Sequence, residues 1–326
     1  MNTSNNINTV LADLVGIIQH FQDSVNSFLL HIGDRNMLNP FQNANLAMAN
    51  EPSPKECFER YGIQKLILTA PPEVPAFDGF CKEDPDHNYR RSNNWNDLKS
   101  DALIAGLKAV FGNCTIIQFA NNTSVHTVAN FWDGLLSDVI RPLKKKDFRF
   151  MFSPGDFTTG RVFEADEMLD IIGGYSSYGK VALIMEENEA EKLWAIIDGG
   201  NAGSEHINNQ SKTSMEKYQS IFNTIRVDGL VILSNSRTSL VSKECRLAFT
   251  GRPFSRLDGS NDARNCFDAG YQMGLLMELQ LPHCVAMGLV VSGSFVEKRS
   301  VPDANSILRY TRAWMTVQEA AGMFSQ

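Results

Sequence analysis

The chain has 326 residues, of which 43% are hydrophobic and 21% are charged, and its formal net charge is −7. These values are typical of a soluble globular chain with one large or two modest domains, and they exclude collagen-like, disulfide-framework and wholly disordered proteins. The excess of acidic over basic residues, 37 against 30, also argues against a broad surface for the phosphate backbone of a nucleic acid.

The six cysteines form no Cys-x-x-Cys pair and no short Cys/His spacing, so the sequence predicts neither a zinc knuckle nor a redox dithiol. The first thirty residues lack a basic segment followed by an apolar block, and no run of 18 apolar residues occurs in the chain. We therefore expect a cytoplasmic protein without a transmembrane segment.

Apolar residues recur every three or four positions over residues 7–31, which predicts an amphipathic helix. The apolar stripe has three candidate partners: its own domain, a second copy in a homo-oligomer, or a membrane surface. No Lys or Arg precedes Arg35, so the helix lacks the basic residues of an anionic-membrane anchor and this alternative comes last. We expect packing on the chain's own domain, with association through residues 1–35 as the alternative.

An alternation of strand and helix patterns follows and predicts a small α/β domain over residues 59–153. Ser153-Pro154-Gly155 then marks a boundary to a second domain over residues 156–326. Strands of the first domain are expected at 63–69, 114–120 and 148–152, and helices at 95–111 and 125–143.

The second domain is expected to be α/β as well, with a mixed central sheet flanked by helices. Ser211 or Thr213 is the expected cap of its second helix. Helices are predicted at 162–172, 214–225, 262–281 and 305–324, and strands or extended segments at 180–186, 193–198, 230–233, 240–249, 284–291 and 295–301.

Two loops of this domain carry residues suited to chemistry. Asp228 and Gly229 stand at the mouth of a buried strand, where Asp is uncommon and Gly admits a close neighbour. The polar loop 258–266 runs into a helix whose first turn contains Arg264, and helix amino ends bind phosphate through their N–H groups. The alternative is structural: Asp262 caps the helix and Arg264 pairs with a surface acid.

The order of these elements resembles the diadenylate cyclase domain, which makes cyclic di-AMP. That family has an Asp-Gly-Ala turn into a strand, a Gly-Thr-Arg-His-Arg loop that opens a helix, and a hydrophobic strand that ends in Ser-Glu-Glu. The corresponding segments here are 228–230, 262–266 and 289–292, and Gly270 coincides with a glycine of the family helix. The resemblance covers about the C-terminal 140 residues. It implies a nucleotide site formed by Asp228, Gly229, Leu230, Asp262, Arg264, Asn265 and Ser292.

The chain departs from that family at the positions that catalyse. Asn265 and Cys266 replace the His and the second Arg, and Gly293-Ser294 replaces the acidic pair, which should impair phosphoryl chemistry. The leading hypothesis is therefore a non-catalytic sensor of a nucleotide or cyclic nucleotide. One alternative is an active cyclase that makes a cyclic dinucleotide from ATP, with Mg²⁺ or Mn²⁺ on Asp228 and Glu297. The other is a structural or interaction protein with a vestigial pocket.

Overall fold

The computed structural model describes residues 7–22, 66–70, 95–99, 101–112, 114–120, 125–155, 162–199, 212–235, 237–250, 262–300 and 302–323. The chain forms two compact units. Unit 1 combines Met1–Leu38 with Val231–Gln326, and unit 2 is Asn39–Leu230. The expected domains 1–35, 59–153 and 156–326 stay a prediction.

Unit 2 is built on parallel strands. Its first four strands are neighbours in chain order, and each adjacent pair is parallel. They are β1 (Leu66–Ala70), β2 (Cys114–Ala120), β3 (Phe148–Ser153) and β4 (Gly179–Glu186). Strand β5 (Gly229–Leu233) follows β4 in the sheet, and the division between the units falls within it, after Leu230.

Helices alternate with these strands, so the predicted α/β class is confirmed. Helix α8 (Ser214–Thr224) begins at the capping box of Thr213, whose N–H donates to the Glu216 carboxylate over 2.7 Å. This bond and a second one from the Thr213 hydroxyl lower the pKa of Glu216. The helices of unit 2 are α2 (Trp95–Leu98), α3 (Asp101–Gly112), α4 (Val125–Leu135) continued by a π-helical turn (Leu136–Ile140), α5 (Arg141–Leu143), α6 (Val162–Tyr175), α7 (Glu187–Gly199) and α8 (Ser214–Thr224).

Aromatic side chains fill the core of unit 2. The Phe119 and Phe152 rings stack with centroids 4.6 Å apart, and both contact the ring of Tyr175. The Tyr175 hydroxyl donates to the Trp132 carbonyl over 2.7 Å, and burial raises the pKa of this hydroxyl well above its ordinary value. The neutral phenol is therefore a fixed part of the core.

The described residues of unit 1 form an antiparallel hairpin and four helices. Strand β6 (Thr238–Ser242) pairs with β7 (Arg246–Phe249), and the register sets Thr238 opposite Phe249. The strand pairs thus include parallel and antiparallel ones. The expectation of a mixed sheet within residues 156–326 stays a prediction. The helices are α1 (Ile7–His20), α9 (Asp262–Leu276), α10 (Leu281–Lys298) and α11 (Ala304–Met323).

Helix α1 confirms the amphipathic pattern over its described part and packs on α10 and α11. Its four innermost side chains are at most 2% exposed. The apolar stripe is therefore covered by the chain itself, and association through this helix has no support in the structure. These side chains are Val10, Leu11, Leu14 and Ile18.

Three predicted strands are wrong. Residues 193–198 lie in α7, and residues 284–291, expected as a buried strand, lie in α10. The return strand at 295–301 is wrong as well, because α10 continues to Lys298. Helix α10 is buried over most of its length, so its sequence lacks the polar face that would reveal helical periodicity.

Helices α9 and α10 approach each other at glycines. A Cβ atom built on Gly270 would lie 2.6 Å from the Met287 carbonyl oxygen and 2.9 Å from the Cα of Gly288. A Cβ on Gly274 would lie 2.8 Å from the Cα of Cys284. Because these neighbours are backbone atoms, a side chain at either position would push the two helices apart.

We expect Gly270→Ala to lower the free energy of unfolding of unit 1 by about 1 to 3 kcal/mol, the usual cost of overpacking a core. Gly16→Ala in α1 is the matched control, since nothing lies within 4 Å of the added Cβ atom. In an open helical position Ala is favoured over Gly by about 1 kcal/mol. Denaturant unfolding should therefore shift in opposite directions for the two variants, and a shift in the same direction would contradict the close approach.

Candidate functional site

A polar turn follows the buried strand β5. All five residues of β5 are buried, and the chain then continues through Ser234 and Arg237 into β6. The Arg237 N–H donates to the Ser234 hydroxyl over 3.4 Å, which helps to close the turn. Polar groups at the carboxyl end of a strand are where open α/β sheets bind their ligands.

The Thr238 hydroxyl in this turn is buried without a hydrogen-bond partner among the described residues. The residue is only 2% exposed. A buried hydroxyl without a partner lowers the stability of the folded state by about 1 to 3 kcal/mol. A ligand that supplies the missing acceptor would therefore gain binding free energy at this position. The side chain of the adjacent Arg237 makes no ion pair within the described part of the chain, and it is half-buried.

The strands around Thr238 are held in place. Thr238 pairs with Phe249 at the end of β7, and the next carbonyl, that of Thr250, accepts a hydrogen bond of 2.8 Å from the Trp314 indole on α11. Trp314 is fully buried. The start of β6 is therefore a rigid position, which suits a binding group better than a mobile loop does.

The first turn of α9 carries a cation. Arg264 donates from Nε to the Asp268 carboxylate over 3.1 Å, and the two side chains are 12% and 11% exposed. Ser292 on α10 donates to the Ala263 carbonyl over 2.9 Å and is itself buried. The amino end of α9 is thus fastened to α10, and the charge of Arg264 is compensated by Asp268.

Asp228 lies elsewhere, at the amino ends of the parallel strands. Its backbone N–H donates to the Val181 carbonyl, and its carboxylate accepts from the Val181 N–H over 2.8 Å and from the Lys180 ammonium over 3.1 Å. Ligands of open α/β sheets bind at the opposite, carboxyl edge. Asp228, Gly229 and Leu230 belong to unit 2. Their predicted role in nucleotide binding stays a prediction.

The other predicted site residues belong to unit 1. Asp262 is the first residue of α9, and the half-buried Asn265 lies in the same first turn. Glu297 is exposed near the end of α10. No group of three or more His, Cys, Asp or Glu side chains among the described residues is placed to hold a metal ion.

No helix in the described part of the chain is long and apolar enough to cross a membrane.

No family model matches the chain, and no curated protein matches its sequence. Solved structures match part of it. They include a nucleoside kinase of the ribokinase family from Methanocaldococcus jannaschii (13% identity, TM-score 0.41), a ribokinase from Thermotoga maritima (14%, 0.43) and an adenosine kinase from Trypanosoma brucei brucei (14%, 0.42). The matches cover 62%, 69% and 62% of this chain and 57%, 62% and 56% of those structures, so the chain spans about three-fifths of their length.

The resemblance to the diadenylate cyclase domain is wrong. The segment equated with the family's final strand, residues 289–292, lies inside α10. The functions that depended on the resemblance are corrected with it. These are the cyclic-nucleotide sensor without catalytic activity, the cyclase that makes a cyclic dinucleotide, and the interaction protein with a vestigial pocket.

Sequence reasoning missed the turn after β5. A threonine at the start of a strand is a common β-former, so Thr238 carries no signal until its burial and lack of a partner are known. The sequence feature that could have indicated this turn is the change from the apolar residues 230–233 to the polar residues 234–238. Such a change from apolar to polar at the carboxyl end of a strand indicates a site as well as a turn.

We expect Thr238→Val to raise the free energy of unfolding by about 1 kcal/mol, because the substitution removes a buried hydroxyl without a partner and keeps the side-chain shape. Thr311→Val is the matched control, since the Thr311 hydroxyl is equally buried but donates to the Ile307 carbonyl over 2.8 Å. The control should gain nothing. Denaturant unfolding measures both, and a loss of stability in Thr238→Val would show that its hydroxyl has a partner.

Proposed function

We propose that the protein binds the phosphate groups of a nucleotide in unit 1 and transfers a phosphoryl group to a small molecule. The proposed phosphate-binding residues lie in two segments of unit 1, the turn after β5 and the first turn of α9. The observation that carries the proposal is the buried Thr238 hydroxyl without a described partner, beside Arg237 at the carboxyl end of β5.

The chemistry of the turn suits an oxyanion. A hydroxyl can donate one hydrogen bond to a phosphate oxygen, and a guanidinium can bind two oxygens of the same phosphate. Thr238 and Arg237 are adjacent and supply both kinds of donor. An acidic protein that binds an anion needs such a local concentration of donors, since its overall field repels the ligand.

The first turn of α9 supports the same ligand class. Helix N–H groups and the dipole favour negative charge there, and Arg264 contributes a guanidinium that is paired with Asp268. Phosphoryl transfer depends mainly on positioning and on stabilising the charge spread over the transferred group, which guanidinium groups do well. Asp262 and Asn265 are retained in the proposal as polar residues of this turn, and Ser292 holds the turn in place through the Ala263 carbonyl.

Asp228, Gly229 and Leu230 are left out of the proposed phosphate site. Both carboxylate oxygens of Asp228 are occupied by Val181 and Lys180, which gives this residue a structural role at the start of β4 and β5. The ribokinase and adenosine kinase structures point to the same reaction class by their names, but their likeness to this chain is partial, and the proposal rests on the turn and on Arg264.

Calorimetric titration with ATP and ADP, each with and without Mg²⁺, tests the binding step. We expect wild type to bind at least one of them, and Arg237→Ala and Thr238→Val to weaken binding about tenfold, the effect of one lost charge-assisted hydrogen bond. Arg309→Ala removes an exposed guanidinium on α11 and is the control. Absence of binding at millimolar concentration would exclude the proposal.

The transfer step is tested by ADP formation from ATP in the presence of a panel of sugars and nucleosides. A kinase should release ADP only when the right acceptor is present, and the phosphorylated product should appear in equal amount. Binding of ATP without ADP release for any acceptor would reduce the proposal to nucleotide binding.

A further inference from the structure

The carbonyl of Thr250, directly after strand β7, accepts two side-chain hydrogen bonds from helix α11. The indole N–H of Trp314 donates over 2.8 Å, and the amide of Gln318 donates to the same oxygen. The two donors are four residues apart, so they share one face of the helix. We call the Thr250 carbonyl and the side chains of Trp314 and Gln318 the clamp.

The second hydrogen bond of the clamp exceeds what local hydrogen bonding requires. A buried indole needs one acceptor for its N–H group, and the Thr250 carbonyl supplies it. Thr250 itself is exposed, so water could fill the remaining lone pair of this carbonyl oxygen. Gln318 fills it instead, although a long side chain loses rotamer freedom in doing so. The end of β7 is therefore fixed more firmly than its polar groups require.

The clamp reaches Thr238 through direct contacts within unit 1. The ring of Trp314 packs on that of Phe249, with centroids 6.3 Å apart, and Phe249 lies opposite Thr238 in the β6–β7 register. At the other end of the hairpin, the Ser242 hydroxyl accepts from two backbone N–H groups of the turn over 3.2 and 3.0 Å. The hairpin that carries Thr238 is therefore held at both ends.

This constraint explains how the Thr238 hydroxyl stays without a partner among the described residues. Such a buried hydroxyl destabilises the fold, so a strand end that could shift would move until the hydroxyl found an acceptor. Unfavourable arrangements of this kind persist where the surrounding structure over-determines them. The clamp supplies the constraint and keeps the hydroxyl available as a donor.

We propose that Trp314 and Gln318 are positioning residues, which hold the Thr238 hydroxyl in place for the phosphate of the ligand. The inference rests on the proposed function, since it assigns the clamp a role in that same site. Neither residue of α11 touches the phosphate, and their effect on binding passes through Thr238.

The test measures the dissociation constants of ATP and of inorganic tripolyphosphate for four forms of the full chain. These are wild type, Trp314→Phe, Thr238→Val and the double variant. Trp314→Phe removes the indole N–H and keeps an aromatic ring against Phe249. We expect it to weaken binding of both ligands about fivefold, the effect of about one hydrogen bond. In the Thr238→Val background the same change should alter binding less than twofold, because the coupling passes through the hydroxyl.

Thr311→Val is the matched control on the same helix. The Thr311 hydroxyl is buried like the Trp314 indole, but it donates to the Ile307 carbonyl within α11 and does not reach β7. Its removal should leave the affinity for both ligands unchanged. A fivefold loss in Thr311→Val would show that any lost hydrogen bond of α11 weakens binding, which would overturn a specific role of the clamp.

The remaining outcomes separate the two proposals. If wild type binds neither ligand, the proposed function and this inference both fail. If wild type binds and Trp314→Phe binds within twofold of it, the clamp does not position the site, and the proposed function stands. An equal loss from Trp314→Phe in the Thr238→Val background would also overturn the inference, as would a Thr238→Val variant that binds like wild type.

Trp314→Phe leaves a small space in the core, so folding is checked by circular dichroism. If that variant does not fold, Gln318→Met replaces it, because methionine has a similar length and no N–H donor. Affinity of Gln318→Met equal to that of wild type, or a loss that persists in the Thr238→Val background, would then overturn the inference. A loss that disappears in that background would support it.

Discussion

The close contact between α9 and α10 sets the geometry on which the rest of unit 1 depends. Gly270 and Gly288 let the two backbones meet without intervening side chains, so neither helix can slide or rotate without a clash. Ser292 adds a hydrogen bond to the first turn of α9, and α1 and α11 cover the outer faces of α10. The packing of the four helices α1, α9, α10 and α11 therefore fixes the position of Arg264.

The secondary structure was predicted most accurately for short apolar strands between polar segments and for helices with one exposed face. Strand β2 was predicted with the bounds that it has, and α1 and α8 showed the helical period because each keeps a solvent face. The prediction of a strand over residues 284–291 is wrong because the helix there keeps no such solvent face. Residues 284–291 are apolar throughout, and a fully buried helix and a buried strand give the same pattern over eight residues.

That single misassignment also produced the wrong family. The resemblance depended on the order of elements, and the third of its three elements was a strand that does not exist. At the site, Arg264 could be found from sequence because a cation in the first turn opposes the helix dipole. Thr238 could not, since a hydroxyl is only informative when its burial and its missing partner are known, and both are properties of the folded chain.

Two features of unit 1 lower its stability. Thr238 buries a hydroxyl without a described partner, and Arg264 and Asp268 form a buried pair directed against the helix dipole. Each costs on the order of 1 kcal/mol, a notable share of the 5 to 15 kcal/mol that separates folded from unfolded proteins. Apolar substitutions would remove both costs. Such violations of local rules are expected at functional sites, where a ligand supplies the missing interactions.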